Sequence, residues 1–320
     1  MHVESELVVP LIAQDRLLGV LDLESLRPNA FSEDHGQMLT TLASTVAIAL
    51  ENARLYDQLR RAEQRKKEDL ERAREVQQLL LPSVPPAVPG LDIATHYLPA
   101  QELGGDFYDF LPYADGRLAI AVGDVAGKGS AAALLAALGV GILREHAVHS
   151  PAPPAEMLAD VNGHLQIPGG KGRFIALSLG VYDPATHELT IANAGFPRPL
   201  LVRDGNASSV DVTGVPLGIL PNSTYESARL RLKPGDIVVF CSDGIHEQTN
   251  GFEEEYGIER LLSHLAGASE CASAEQIAAN IAHSIDEHSR DGASRRRNVD
   301  DRTIVILRVT DPIPSSWHGL

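Results

Sequence analysis

The sequence predicts an α+β protein: antiparallel sheet with attached helices, preceded by a short strand pair and one long helix. Three observations predict it. Short β-rich apolar runs recur after residue 90 and are joined by hairpin-like turns such as Asp183-Pro184-Ala185-Thr186 and Arg203-Asp204-Gly205-Asn206. That favours antiparallel pairing over regular βαβ alternation. No Gly or Pro interrupts residues 37–81, after which Pro82, Pro85, Pro86 and Pro89 stop any helix. Acidic residues recur at strand ends and in glycine-rich turns, where a carboxylate is held firmly yet stays reachable.

In chain order, Leu7–Ile12 and Leu17–Leu23 flank the polar break Gln14-Asp15-Arg16 and read as a hairpin. Phe31-Ser32-Glu33-Asp34 opens a helix, with Ser32 as N-cap and acids where the helix dipole favours them. Met38, Leu39, Leu42, Val46, Ala49 and Leu50 follow at helical spacing. From Asp57 to Glu75 the helix is mostly charged. Its candidate seam is Leu55, Leu59, Ala62, Lys66, Asp69, Ala73, Val76 and Leu80, with Lys66 and Asp69 spoiling it. The segment reads either as one strand of a parallel dimeric pair or as a solvated spacer helix. Beyond it, strands are expected at 91–97, 118–122, 174–182, 188–192, 200–202, 227–232, 237–241 and 303–309. Helices are expected at 131–149, 154–165, 258–265 and 274–288.

The chain has 320 residues, 27 Lys plus Arg and 43 Asp plus Glu, a formal net charge of −16. Its length suggests about two domains. The acid surplus argues against nucleic acid and anionic membranes as partners. No apolar run is expected to span a bilayer. Met1-His2-Val3-Glu4 does not open a signal peptide, and two cysteines, Cys241 and Cys271, build no disulfide framework; a cytoplasmic setting is expected.

Four acidic sites carry the chemistry: Gly104-Gly105-Asp106, Gly123-Asp124-Val125-Ala126-Gly127-Lys128-Gly129, Ser242-Asp243-Gly244 and Asp300-Asp301-Arg302-Thr303. Carboxylates converging in one cleft repel unless cations neutralise them. Mg²⁺ or Mn²⁺ suits such an oxygen-only ligand set. The His146/His149 and His283/His288 pairs read as surface features. Gly127-Lys128-Gly129-Ser130 lacks the spacing of a nucleotide-binding phosphate loop. Cys241 lies in an apolar run and reads as core. Arg295-Arg296-Arg297 reads either as an attractor for a phosphoprotein or as a solvated loop.

Together with Gln77-Gln78-Leu79-Leu80-Leu81-Pro82, Phe107-Tyr108-Asp109, Asn193-Ala194-Gly195, Pro216-Leu217-Gly218 and Ile245-His246-Glu247, these ordered motifs resemble the SpoIIE-type PPM serine/threonine phosphatases over about residues 75–310. The resemblance implies an αββα sandwich of two antiparallel sheets with a binuclear Mn²⁺ or Mg²⁺ centre at one edge. It implies Asp124 as bridging carboxylate and the Val125 carbonyl as a ligand. It places Asp106 near the first ion and Asp243 and Asp300 on the second. Asp109, Gly244, Glu247 and Asp301 would stand behind these ligands, with Asp301 as a bystander. The implied reaction is direct attack of a metal-activated water on a phosphoserine or phosphothreonine protein. The implied substrate is a phosphorylated STAS-domain antagonist of an anti-sigma factor. One departure is Phe196, where the family usually has His. The competing readings are an inactive phosphatase-like binding module and a two-metal phosphoesterase acting on a small molecule or nucleic acid.

The N-terminal segment resembles, more loosely, the second half of a GAF sensor domain, with Leu17–Glu24 like its late strand and Phe31 to Leu55 like its last helix; the first half of such a domain is expected to be missing, and no small-molecule ligand is expected there. The expected organisation is a partial GAF-like segment at 1–54, a coiled-coil-like linker at 55–82 supporting a homodimer, the phosphatase domain at 83–312 and a tail at 313–320.

Overall fold

The computed structural model describes residues 2–166, 172–271, 273–291 and 300–310. It divides into two compact units, Met1–Leu70 and Glu71–Leu320. Arg295-Arg296-Arg297 and the tail at 313–320 lie outside the described residues.

In the first unit, β1 (Ser5–Ala13) and β2 (Arg16–Ser25) pair antiparallel. Gln14 and Asp15 turn the hairpin with positive φ. Strand alternation puts Val9, Leu11 and Ala13 on one face, where they pack with Leu39, Ala43 and Ala47 of α1 (Glu33–Leu80). The start of α1 is fixed as expected. The His35 amide donates to Ser32 Oγ (3.4 Å) and the Ser32 amide donates to His35 Nδ1 (3.1 Å), a reciprocal cap. Leu55 and Leu59 are exposed.

The second unit contains the last turns of α1 and an αββα sandwich. One sheet runs β10-β7-β6-β5-β4, built from Ser227–Arg231, Glu188–Ala194, Ile175–Asp183, Leu118–Val125 and Phe107–Pro112. The other runs β3-β12-β11-β8-β9, built from Leu91–Leu98, Arg302–Val309, Ile237–Cys241, Leu200–Arg203 and Asn206–Ser209. Every named pairing is antiparallel. The two-residue period of each strand sorts the core into three layers. Ala119 and Ala121 of β5 face the helices α2 (Ser130–His149) and α3 (Pro154–His164), whereas Leu118, Ile120 and Val122 face the opposite sheet. In the second sheet Val239 and Ile304 face α5 (Ile258–Ala266) and α6 (Ala274–Arg290), while Val238, Phe240 and Val305 fill the inter-sheet layer. Truncating a fully buried ring such as Phe240 to Ala costs about 3–5 kcal/mol in a layer of this kind.

Several expectations need correction. Phe107–Pro112 is a strand, β4, and Asn206–Ser209 forms the short edge strand β9. Asp243-Gly244 opens a one-turn helix, α4 (Asp243–His246), rather than lying in an open turn. The 20-residue α2 is apolar enough by composition to cross a membrane, contrary to the sequence reading, but its inner face, including Leu135, Val140 and Leu143, lies in the sandwich core. His146 is buried rather than on the surface, because α2 and α3 meet there and its ring stands edge-on to His164 (centroids 5.5 Å). Phe196 is also core. Asn193 closes the turn before it, its Nδ2 donating to the Phe196 carbonyl and its Oδ1 accepting the Phe196 amide, both at 2.9 Å.

Candidate metal centre

Antiparallel register brings the four acidic motifs to one edge of the sandwich. Phe107 pairs with Gly123, so Asp106 at the start of β4 lies beside Asp124 near the end of β5. Cys241 pairs with Ile304, so Asp243 after β11 lies near Asp300 and Asp301 before β12. Hydrogen bonds then join the two sheets. Thr303 Oγ1 donates to Asp106 Oδ2 at 2.5 Å. Asp301 accepts three backbone amides, Ala100 on Oδ1 (2.7 Å) and Gly105 (2.5 Å) and Asp106 (3.3 Å) on Oδ2. Asp301 is therefore no bystander: both its oxygens hold the loop that carries Asp106.

Glycines make room for this. A Cβ on Gly244 would strike the Asp301 carbonyl, so α4 can pack against that backbone only without a side chain. A Cβ on Gly105 would stand 3.0 Å from the Val125 carbonyl oxygen, 3.1 Å from Asp124 Oδ1 and 3.6 Å from the Gly127 carbonyl oxygen. Three oxygens thus converge on a space kept open by the missing side chain.

The acids bear the electrostatic cost. Asp106 is fully buried; burial first, then Asp124, pushes its carboxyl well above the usual range against the Thr303 hydrogen bond. Asp124 is pushed up to about 7 by burial and by Asp243 and Asp300. Burial and Asp300 raise Asp243, and burial and Asp243 raise the less enclosed Glu247. Such a set stays charged near neutrality only with added positive charge. The donors are all hard oxygens, and they suit Mg²⁺ or Mn²⁺. Among the described residues no three His, Cys, Asp or Glu side chains already close into a ligand cage. Two of the acids are engaged elsewhere: Asp106 with Thr303, and Asp300 with Lys128, whose Nζ lies 3.1 Å from Asp300 Oδ2.

These shifts fix a sign. A carboxyl at about 7 in the fold against 3.8 ordinarily holds its proton longer when folded. The stability it contributes is fully present below about pH 4 and is lost as pH rises through about 7. The metal-free chain is therefore expected to melt at a lower temperature at about pH 8 than at about pH 5.5, with Mn²⁺ restoring the loss. A flat profile by calorimetry contradicts this account of Asp124.

Two positions sit elsewhere. Asp109 is buried in β4, where Arg144 Nε donates to its Oδ2 (2.6 Å) and the Phe110 amide to its Oδ1 (2.9 Å). Arg144 also donates to the Leu80 carbonyl (2.7 Å), so Asp109 anchors the end of α1. Cys241 is buried in β11, its thiol pushed up to about 12 by burial and Asp243, which suits core packing and not a nucleophile. Sequence reasoning missed Gln77. Its Nε2 donates to the Gly104 carbonyl (2.7 Å) and its Oε1 accepts the Gly104 amide (3.2 Å). The motif containing Gln77 was visible; its partner, 27 positions away, was not.

Residues 114–310, more than half of the chain, match the family described as Stage II sporulation protein E (SpoIIE). The chain belongs to the SpoIIE family. This SpoIIE-family chain is a phosphoprotein phosphatase of the PPM type, a class in which dependence on divalent metal is typical. Residues 1–51 match the GAF domain family. The chain is 29% identical over 261 residues to Phosphoserine phosphatase RsbU of Bacillus subtilis, covering 79% of this chain and 73% of that protein. It is similar in structure to the RsbU and RsbW domains of Rv1364c from Mycobacterium tuberculosis, with a TM-score of 0.61 and 29% identity, over 72% of this chain and 62% of that one. The SiaA-PP2C domain of Pseudomonas aeruginosa shares the fold, with a TM-score of 0.68 and 21% identity, over 77% of this chain and 98% of that one.

Proposed function

We propose that this chain hydrolyses phosphoserine or phosphothreonine on a regulatory protein of the STAS type, an antagonist of an anti-sigma factor. In this reading two divalent ions, Mn²⁺ or Mg²⁺, are held by Asp106, Asp124, the Val125 carbonyl, Asp243 and Asp300. The observation that carries it is the convergence of Asp124 Oδ1 and the Val125 carbonyl on the open space beside Gly105, within a set of mutually repelling carboxylates. Divalent ions held there would supply a water of lowered pKa and would neutralise charge on the phosphoryl group. The chain's own residues do the placing. Asp301 holds the Gly105 and Asp106 amides, Thr303 orients Asp106, and Gly244 lets α4 bring Asp243 against the Asp301 backbone. The phosphoserine part of this reading is supported by the similarity to Phosphoserine phosphatase RsbU, and the STAS-type substrate by the resemblance of the ordered motifs. The test is Mn²⁺-dependent phosphate release from a phosphoserine STAS-domain protein beside unrelated phosphoproteins. Equal rates on all of them reject the substrate assignment; no Mn²⁺ dependence rejects the metal reading.

The same reading takes the helical segment before residue 82 as a dimerising linker and its last turns as a control point. Gln77 and the Leu80 carbonyl are bonded to Gly104 and Arg144, so a shift of these turns reaches the loop carrying Asp106. Removing residues 1–70 is expected to yield monomers by light scattering and to change phosphate release several-fold. If oligomeric state and rate both stay put, the linker reading fails.

A further inference from the structure

Lys128 lies between two glycines with left-handed backbone, Gly127 (φ +107°) and Gly129 (φ +78°), the second of which caps α2. Other residues adopt such conformations only with strain, so the loop carrying Lys128 is closely specified. Its ammonium pairs with Asp300 Oδ2 at 3.1 Å, both side chains being about half exposed. Its charge also reaches Asp243, where it opposes the upward push of burial and of Asp300. The ammonium therefore sits on a carboxylate that the proposed function gives to a divalent ion.

We infer that Lys128 is a displaceable internal counter-cation, which neutralises Asp300 in the metal-free chain and gives up Asp300 Oδ2 when a divalent ion takes that oxygen. The inference rests on the metal reading above and adds to it a residue outside the ligand set. An ammonium and a dication repel each other and cannot share one carboxylate oxygen at short range. Asp300 Oδ1 already accepts the Asp301 amide (3.0 Å), so an ion that takes Oδ2 breaks the Lys128 pair, and the strength of that pair is subtracted from the affinity for the ion. In return, the metal-free site is relieved of part of its self-repulsion. Lys128 is a positioning residue here, acting on the ion through Asp300.

The test is Mn²⁺ binding by the full chain, measured by titration calorimetry at low salt. Lys128→Met, which keeps the aliphatic stem and removes the charge, is expected to bind Mn²⁺ about two- to five-fold more tightly than wild type, the span of an exposed ion pair. The gain should shrink at about 1 M salt, where such pairs are screened. Lys128→Arg, which keeps the charge, should bind as wild type does. Metal-free Lys128→Met should melt below wild type, with the gap narrowing once Mn²⁺ is added. Equal or weaker Mn²⁺ binding by Lys128→Met overturns the proposal and leaves the metal site standing. Mn²⁺ binding that is absent in wild type, or unchanged in Asp124→Asn, removes the metal site and this inference together.

Discussion

Asp124→Asn is expected to lower Mn²⁺-dependent phosphate release by about a thousand-fold or more, because stabilisation of developing charge by bound metal supplies much of the rate enhancement in such catalysis. Asp124 is the acid on which the others converge electrostatically: Asp243, Asp300 and Asp301 all raise its carboxyl, and it raises Asp106 in turn. The same substitution should leave the metal-free fold at least as stable as wild type near neutral pH. It removes a buried carboxylate that loses stability as it ionises through about 7. The paired outcome separates chemistry from folding. Phosphate release and thermal melting, each with and without Mn²⁺, check it on one preparation. A variant that loses activity only because it unfolds contradicts the account, as does one that keeps activity.

Asp301→Ala is expected to do the reverse, damaging the fold first and activity as a consequence. Asp301 is buried, and its carboxylate satisfies the amides of Ala100, Gly105 and Asp106. Removing it strands three backbone donors, at a cost of about 3 kcal/mol or more. The urea midpoint should fall accordingly, and the Gly105 and Asp106 amides should exchange with solvent faster than those of the central strands. Asp301→Asn keeps one acceptor oxygen and should fall in between. Unchanged exchange at Gly105 in Asp301→Ala would show that other contacts hold the loop.

Much of the fold was legible because strands of this sandwich carry apolar residues on both faces. Ile237–Cys241 and Ile304–Leu307 stand out as continuous apolar runs, and both lie in interior strands of their sheet. Phe107–Pro112 reads as motif rather than strand because Asp109 interrupts its apolar run, and the Arg144 ion pair and the Phe110 amide that satisfy the buried acid are not visible in the sequence. Asn206–Ser209 has no apolar pattern and exists through pairing with β8. The four acidic motifs could be picked out locally, since each sits beside glycine or another acid. The work of Asp301 could not, because its partners lie between 195 and 201 positions away. His146 failed for the same reason: helical spacing gave its face on α2 but not that α3 covers it.

The cross-sheet stitch also sets an order of events during synthesis. β12 is the last described strand, yet it lies inside its sheet between β3 and β11, and Thr303 and Asp301 reach back to the residues that open β4. A nascent chain still lacking its final stretch has the Asp106 and Asp124 turns but neither the hydroxyl nor the carboxylate that steadies them. A chain cut short before Asp300 is therefore expected to release no phosphate above background, since it lacks that acid as well as Asp301 and Thr303.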